Sequence, residues 1–111
     1  MNWIHLNNLQ QLVELKELSK DRPQLIFKHS TRCSISSMAK SRLERDEQPE
    51  DGDFYFLDLI KYRALSDQIA EDFAVTHESP QILIIKNTEC VYDESHSGIQ
   101  MDDIIEQLAL S

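Results

Sequence analysis

The chain has 111 residues, of which 41% are hydrophobic, so it can form one small core. Its 11 basic and 20 acidic residues give a net charge of −9, which argues against nucleic-acid binding through a broadly basic surface. No apolar run approaches the roughly 20 residues of a membrane span, and the start of the chain lacks the features of a signal peptide. We therefore expect a single domain over residues 1–111, located in the cytoplasm and without a membrane partner.

The first half of the chain predicts strands that alternate with helices. A short edge strand over 3–6 precedes a first helix, which Asn7 or Asn8 can cap. The apolar face of this helix is predicted to consist of Leu9, Leu12, Val13 and Leu18. The predicted segments that follow are a buried strand over 24–28, a helix over about 34–45, a polar loop over 46–53, a strand over 54–59 and a helix around 64–73. This order predicts a parallel βαβ core.

The second half has a different pattern. An apolar strand over 81–86 is separated by only Asn87 and Thr88 from a second strand over 89–93, which favours an antiparallel hairpin. A final amphipathic helix follows, with its apolar positions at Met101, Ile104, Ile105 and Leu108. A βαβ unit followed by a ββα unit predicts an α/β protein with a thioredoxin-like fold, in which helices flank a mixed central sheet.

Cys33 lies between the buried strand and the second helix. The apolar positions Ile35, Met38, Ala39 and Leu43 recur at helical spacing after it. Unpaired backbone N–H groups and the helix dipole favour a negative group at such a junction, so a thiolate would be stabilised there. Since the thiolate is the reactive form of cysteine, this position suits redox chemistry. The spacing from Cys33 to Ser36 is that of a CxxC motif whose second cysteine is replaced by serine.

Basic residues are concentrated in the first part of the chain. Residues 1–45 contain eight basic and four acidic side chains, and the remainder contains three basic and sixteen acidic ones. Most of these charges are typical of solvated helix faces. A more specific hypothesis is that Lys28, Arg32 and Lys40, with His29, surround Cys33 and attract an anionic thiol substrate.

The dipeptide Ser79-Pro80 stands directly before the strand over 81–86. Proline is accepted at the start of a strand, and X-Pro is the common setting of a cis peptide bond. In thioredoxin-like proteins, a cis-proline at this position faces the active cysteine and presents backbone groups to a bound substrate. We therefore expect Ser79 and Pro80 to bind substrate beside Cys33.

Three segments together resemble the YtxJ family of monothiol bacilliredoxins, which are thioredoxin-fold proteins of the bacillithiol system. These segments are residues 29–36, 77–81 and 95–99, and the resemblance covers nearly the whole chain. It implies a thiol-disulfide oxidoreductase that removes bacillithiol from mixed disulfides on other proteins. The implied catalytic residues are Cys33 and Ser36, and the implied substrate-binding residues are Thr31, Arg32, Ser34, Ser79 and Pro80.

The resemblance also sets expectations about cofactors and partners. No tightly bound cofactor and no metal are expected; bacillithiol serves as the thiol co-substrate and bacillithiolated proteins are the partners, with the protein itself a monomer or weak dimer. One residue departs from the family pattern, because Ser34 occupies a place where the family often has proline. Unlike proline, Ser34 has a backbone N–H that can point at the sulfur.

The CxxS motif has a single thiol, which predicts a monothiol mechanism. Ser36 can donate a hydrogen bond to a thiolate but cannot attack a disulfide, so Cys33 alone must accept the small thiol. Cys90 is the alternative resolving cysteine, although its position in a strand is more typical of a small buried side chain. His29 and His77 flank the predicted site, but neither belongs to a recognisable metal-ligand pair.

Two other functions remain possible for a thioredoxin-fold binding module. One is an iron–sulfur protein of the monothiol glutaredoxin kind, although Ser34 and Ile35 replace the glycine and phenylalanine of its CGFS motif. The other is a redox-inert adaptor. The colour of the purified protein would identify the first, and an unreactive Cys33 would identify the second.

Overall fold

The computed structural model describes residues 1–110, which form a five-stranded mixed sheet with helices on both faces. The strands are β1 (Ile4–His5), β2 (Gln24–His29), β3 (Asp53–Asp58), β4 (Gln81–Lys86) and β5 (Glu89–Ser95). The helices are α1 (Leu9–Leu18), α2 (Ser34–Glu44), α3 (Arg63–Phe73) and α4 (Met101–Ala109), with a short 3₁₀ turn at His96–Gly98 before α4.

The strand order is β1-β3-β2-β4-β5. β1 and β2 both run parallel to β3, whereas β4 is antiparallel to β2 and β5 is antiparallel to β4. The predicted α/β architecture of a βαβ unit followed by a ββα unit is therefore confirmed. Because β2 and β3 are parallel, the loops that follow both strands lie at the same edge of the sheet.

Each face of the sheet has its own apolar core, as strand alternation requires. The α1 and α3 face includes Ile26, Tyr55, Leu57, Leu83 and Ile85. The α2 and α4 face includes Leu25, Phe27, Phe54, Ile82 and Ile84. Since β2 is central, every one of its side chains is buried. A polar residue on β2 therefore lies in a core and needs a hydrogen-bond partner there.

The predicted helix faces are only partly correct. In α1, Leu12 and Leu15 are buried, whereas the predicted core residues Leu9, Val13 and Leu18 are exposed. Residues three apart share one stripe of a helix, and the Leu12 to Leu15 stripe is the one that faces the sheet. Similarly, Ile105 is exposed in α4, although Met101, Ile104 and Leu108 are buried as predicted.

The predicted boundaries differ from the observed ones by a few residues. β2 is one residue longer than predicted and includes His29, while β5 continues to Ser95. The hairpin turn between β4 and β5 is confirmed, because Asn87 and Thr88 have φ angles of 50° and 67° as the tight turn requires. The single-domain assignment stays a prediction, and its last residue, Ser111, lies outside the described residues. Within the described part of the chain, no helix combines the length and apolar character of a membrane span.

Candidate active site around Cys33

Cys33 occupies the N-cap position of α2. Its backbone is extended, with φ −115° and ψ 119°, and its N–H donates to the carbonyl oxygen of Ser30 at 3.2 Å. The first helical hydrogen bond runs from Ser37 N–H to the carbonyl oxygen of Cys33 at 3.1 Å. The Cys33 side chain makes no capping hydrogen bond and is partly exposed. Cys33 is thus partly exposed at the end of α2 where the backbone N–H groups of the first turn are unpaired.

Ser36 is fully buried on the stripe of α2 that faces the sheet, together with Ala39 and Leu43. The predicted core residues Ile35 and Met38 are instead exposed, because they lie on the neighbouring stripe of the helix. Ser36 is therefore the first buried residue of α2, and its hydroxyl is directed towards the end of β2 rather than towards solvent.

The Ser36 hydroxyl has two partners at the end of β2. Its Oγ accepts a hydrogen bond from the backbone N–H of Ser30 at 3.0 Å and lies 2.6 Å from Nδ1 of His29. A hydroxyl has a single proton to donate, and the His29 contact can use it. Among residues 1–110, the structure shows no hydrogen bond from this hydroxyl to the sulfur of Cys33. A direct catalytic role of Ser36 therefore stays a prediction, while its contacts connect the two sides of the turn that carries Cys33.

His29 is buried on the α2 side of the sheet, between aromatic rings. Its ring centroid lies 5.2 Å from that of Phe56 and 5.8 Å from that of Phe27. Burial lowers the pKa of His29 below its usual 6.5, and the charge of Lys40 lowers it further. His29 is accordingly neutral near pH 7. It supports the turn before Cys33 through Ser36, and in the described residues no cluster of three or more metal-ligating side chains includes it.

The prediction that Lys28 is one of the cations surrounding Cys33 is wrong. Its side chain is fully buried and points to the other face of the sheet, where Nζ donates to the carbonyl oxygen of Ser66 at 3.1 Å and lies 3.3 Å from Nδ1 of His77. Strand alternation explains this placement, because Lys28 follows Phe27 and must face the opposite core. Burial lowers the pKa of Lys28 to about 8. Lys28 is therefore not available to an incoming thiol.

The other two predicted cations differ from each other. Lys40 forms an ion pair with Glu44 at 3.0 Å, and its Nζ lies 5.9 Å from the centre of the Phe56 ring. Thr31 and Arg32 are exposed in the loop directly before Cys33, and Ser34 is exposed at the first position of α2. Of the three predicted cations, Arg32 is the one that an anionic ligand at Cys33 could contact without breaking such a pair.

The Ser79-Pro80 peptide bond is cis, and Pro80 is buried. The antiparallel pairing of β2 with β4 ends at Lys28 and Gln81, so Pro80 directly precedes the residue that pairs next to the end of β2. The hydroxyl of Ser79 is buried and has no hydrogen-bond partner within the described residues. The substrate-binding role expected of Ser79 and Pro80 beside Cys33 stays a prediction.

The loop that contains His96 connects the Ser79-Pro80 loop to α2. No site residue was predicted in this loop from the sequence. His96 N–H donates to the carbonyl oxygen of Pro80 at 3.1 Å. Arg42 of α2 donates to the carbonyl oxygens of His96 and Ile99, at 3.2 Å and 3.0 Å. No local pattern marks Arg42 as such a bridge, because its partners are backbone atoms more than 50 residues away in the sequence.

Cys90 lies at the opposite end of the sheet. It pairs with Ile85, which in turn pairs with Gln24 at the start of β2, whereas Cys33 follows the end of β2. The length of β2 alone separates these ends by roughly 17 Å, and a disulfide requires Cα atoms within about 7 Å. Burial raises the pKa of the Cys90 thiol, whose sulfur lies 3.4 Å from the carbonyl oxygen of Tyr92. These features do not favour Cys90 as a resolving cysteine.

The fold and the position of the cysteine together define a thioredoxin-fold protein. A solved thioredoxin-fold structure, provisionally described as an oxidoreductase, is 30% identical, with a TM-score of 0.80 over 93% of this chain and 90% of that one. A thioredoxin of Malassezia sympodialis has a TM-score of 0.77 at 17% identity, covering 98% of this chain and 92% of that one. A mutant thioredoxin from Halobacterium salinarum has a TM-score of 0.72 at 17% identity, covering 97% and 91%.

The family follows from the sequence itself. The family model of the monothiol bacilliredoxin BrxC matches residues 4–104 of this chain. The chain belongs to this family, and the resemblance inferred from the three segments around Cys33, Pro80 and His96 is confirmed. Family and fold support a redox function of the thiol-disulfide oxidoreductase class.

Proposed function

We propose that this protein removes bacillithiol from mixed disulfides on other proteins, using Cys33 as its only reacting cysteine. The observation that carries the proposal is the placement of the two thiols. Cys33 is partly exposed at a helix N-terminus, and Cys90 lies at the far end of the sheet. A serine occupies the position from which a dithiol enzyme would resolve its own mixed disulfide, so the cycle has to use an external thiol.

The reaction balances with one thiol in each step. The thiolate of Cys33 attacks the bacillithiol sulfur of the mixed disulfide, the target-protein thiolate leaves with the bond electrons and takes a proton from solvent, and Cys33 becomes bacillithiolated. A free bacillithiol thiolate then attacks the bacillithiol sulfur on Cys33, which releases bacillithiol disulfide and restores the Cys33 thiolate. Bacillithiol is thus the co-substrate, and the cycle needs no tightly bound cofactor.

The surface around Cys33 suits both parts of such a substrate. Ile35 and Met38 are 50% and 64% exposed on the outer face of α2, beside the start of the helix, and can contact an apolar part of the target protein. Arg32 can contact a carboxylate of the malate unit of bacillithiol. Thr31 and Ser34 flank Arg32 and Cys33. We expect Ser79 and Pro80, which directly precede the strand paired with β2, to offer backbone groups to the target chain.

The test is turnover on a model protein that carries one bacillithiolated cysteine, with free bacillithiol as the recycling thiol. Wild type and Cys90→Ser should release the target thiol at the same rate, and Cys33→Ser should release none above background. A wild type that is unreactive at Cys33 would favour the redox-inert adaptor. A coloured protein with iron–sulfur absorption would favour the cluster-binding module. A loss of activity in Cys90→Ser would refute the monothiol cycle.

A further inference from the structure

Lys28 is a buried cation without a carboxylate partner at ion-pair distance among the described residues. Its Nζ contacts the carbonyl oxygen of Ser66 in α3 and Nδ1 of His77, while Asp67 and Arg63 influence it only through their charges. Placing an ammonium group in a core is costly unless hydrogen bonds compensate for the lost water. A methionine of similar length would fill the same space without this penalty, so the amine needs another explanation than packing.

The contact with His77 has a defined direction. A protonated lysine has three donors and no acceptor, so Nδ1 of His77 must accept and the ring proton must be on Nε2. The Ser66 hydroxyl, at 3.3 Å from the same Nδ1, can donate to it as well. The pKa of His77 is lowered by burial and by the charge of Lys28, which agrees with a neutral accepting ring. The buried Lys28 and Ser66 and the half-buried His77 therefore form one cluster, here called the Lys28 cluster.

The half-buried His77 attaches the loop that leads to Pro80 to the core. The two ends of this loop are held by backbone atoms: Thr76 O accepts from Gln81 Nε2 at 3.0 Å, and Pro80 O accepts from His96 N–H at 3.1 Å. Between these ends, the exposed Glu78 lies 3.8 Å from His96, a contact that contributes little in water. Among the described residues, the hydrogen bonds that hold residues 77–79 through a part-buried side chain are those of His77 with Lys28 and Ser66.

We propose that Lys28 is a positioning residue for the reaction: through His77 it fixes the loop 77–80 against α3, so that this loop meets the target chain of a protein mixed disulfide beside Cys33. The inference rests on the proposed function, because it concerns the same site and the same substrate. Lys28 does not touch the reacting sulfur, since it lies on the other face of the sheet. Its effect should therefore be confined to substrates that contact the loop.

The experiment compares two substrates in the full-length protein. One is a bacillithiolated model protein, which can contact the loop, and the other is the small bacillithiol disulfide, which lacks a peptide chain. Lys28→Met should lower kcat/KM for the protein substrate by about tenfold or more, because small displacements of positioning groups have effects of this size. The single-turnover rate at which the small disulfide bacillithiolates Cys33, with release of one bacillithiol and followed by intact mass, should stay within about twofold of wild type. Lys20→Met, which removes an exposed lysine far from the loop, is the matched control and should change neither rate.

A second pair of variants keeps the test decisive if Lys28→Met folds poorly. His77→Gln retains an acceptor for Lys28 and should keep most of the activity on the protein substrate, whereas His77→Leu should lose it.

NMR titration of His77 gives a readout independent of turnover: its pKa should rise in Lys28→Met, because a neighbouring positive charge is removed. Equal losses on both substrates, or no loss on either, would overturn the positioning role. A wild type inactive on both substrates would refute the proposed function instead, and the titration would then test the Lys28 cluster alone.

Discussion

The Oγ atom of Ser36 lies 2.6 Å from Nδ1 of His29, and both side chains are buried beneath the turn that carries Cys33. The serine at the second position of the CxxS motif is therefore part of a local hydrogen-bond network and not merely the absence of a thiol. Together with the hydrogen bond from Ser30 N–H, this contact joins the first turn of α2 to the end of β2. The turn is thereby fixed on the side of the core, while the Cys33 sulfur remains on the accessible side.

Ser36→Cys should convert the protein from a monothiol into a dithiol. Residues 33 and 36 are separated by one helical turn, which is compatible with disulfide geometry. The oxidised variant should lose the mass of two hydrogens and both reactive thiols, as measured by intact mass spectrometry and thiol counting. Oxidised wild type should stop at one mixed disulfide with the small thiol.

Ser41→Cys is the matched control for that substitution. It places a second cysteine at an exposed position of the same helix, roughly 12 Å further along the axis, beyond disulfide reach. An internal disulfide in Ser41→Cys, or none in Ser36→Cys, would contradict the described geometry of the first turn.

The stability of the protein should depend on pH through Lys28. The folded pKa is about 8 and the ordinary value is 10.5, so between these values the unfolded chain binds a proton that the folded chain does not. Stability attributable to Lys28 therefore rises with pH over this window and is reduced below it. The free energy of unfolding of wild type, relative to Lys28→Met, should rise by about 2 kcal/mol between pH 7 and pH 9.5.

Denaturant unfolding at several pH values measures this difference. Lys20→Met again serves as the control, since Lys20 is exposed and burial does not penalise its charge. A difference between wild type and Lys28→Met that stays flat across the window would show that Lys28 is not buried as described.

The two cysteines should differ strongly in alkylation. Cys33 is partly exposed at the helix N-terminus, whereas burial raises the pKa of Cys90 in β5. With limiting iodoacetamide at pH 7, the folded protein should be modified at Cys33 at least about tenfold faster than at Cys90, because the thiolate is the reacting form. Peptide mapping measures the ratio, and urea-unfolded protein, in which the two rates should converge, is the control. Faster modification of Cys90 in the folded state would contradict the site assignment.

The sequence predicted most of the fold because apolar runs and turn residues are local signals. Cys33 at a strand-to-helix junction and the hairpin at Asn87 and Thr88 follow from such signals. The sequence did not predict the environment of Lys28, because the depth of a strand in the sheet depends on its neighbours. A lysine close to Cys33 in sequence looked like a surface cation, but β2 is the central strand and alternation turns Lys28 into the opposite core. The hydrogen bond from Arg42 to the carbonyl oxygen of His96 could not be predicted from the sequence either, because it joins a side chain to a backbone atom that is distant in the sequence.

Discrimination between small thiols should be moderate and sensitive to salt. With Lys28 buried and Lys40 paired to Glu44, Arg32 is the cation that we expect to meet the malate carboxylates of bacillithiol. An exposed ion pair contributes about 0.2 to 1 kcal/mol, so bacillithiol should be removed up to about fivefold faster than glutathione from the same model protein. Arg32→Ala should narrow this ratio without abolishing turnover, and raised salt should do the same in wild type. Arg45→Ala, which removes an exposed arginine at the far end of α2, should leave the ratio unchanged. Equal rates for both thiols that Arg32→Ala leaves unchanged would reject recognition of the malate unit by Arg32.

The most direct test of the account is to trap the intermediate. Wild-type protein is mixed with a bacillithiolated model protein in the absence of free bacillithiol, quenched with an alkylating reagent, and analysed by intact mass and peptide mapping. We expect one bacillithiol on Cys33, an alkylated Cys90 after unfolding, and one freed target thiol for each modified Cys33. An internal disulfide between Cys33 and Cys90, or bacillithiol that stays on the target while Cys33 is alkylated, would contradict the monothiol mechanism.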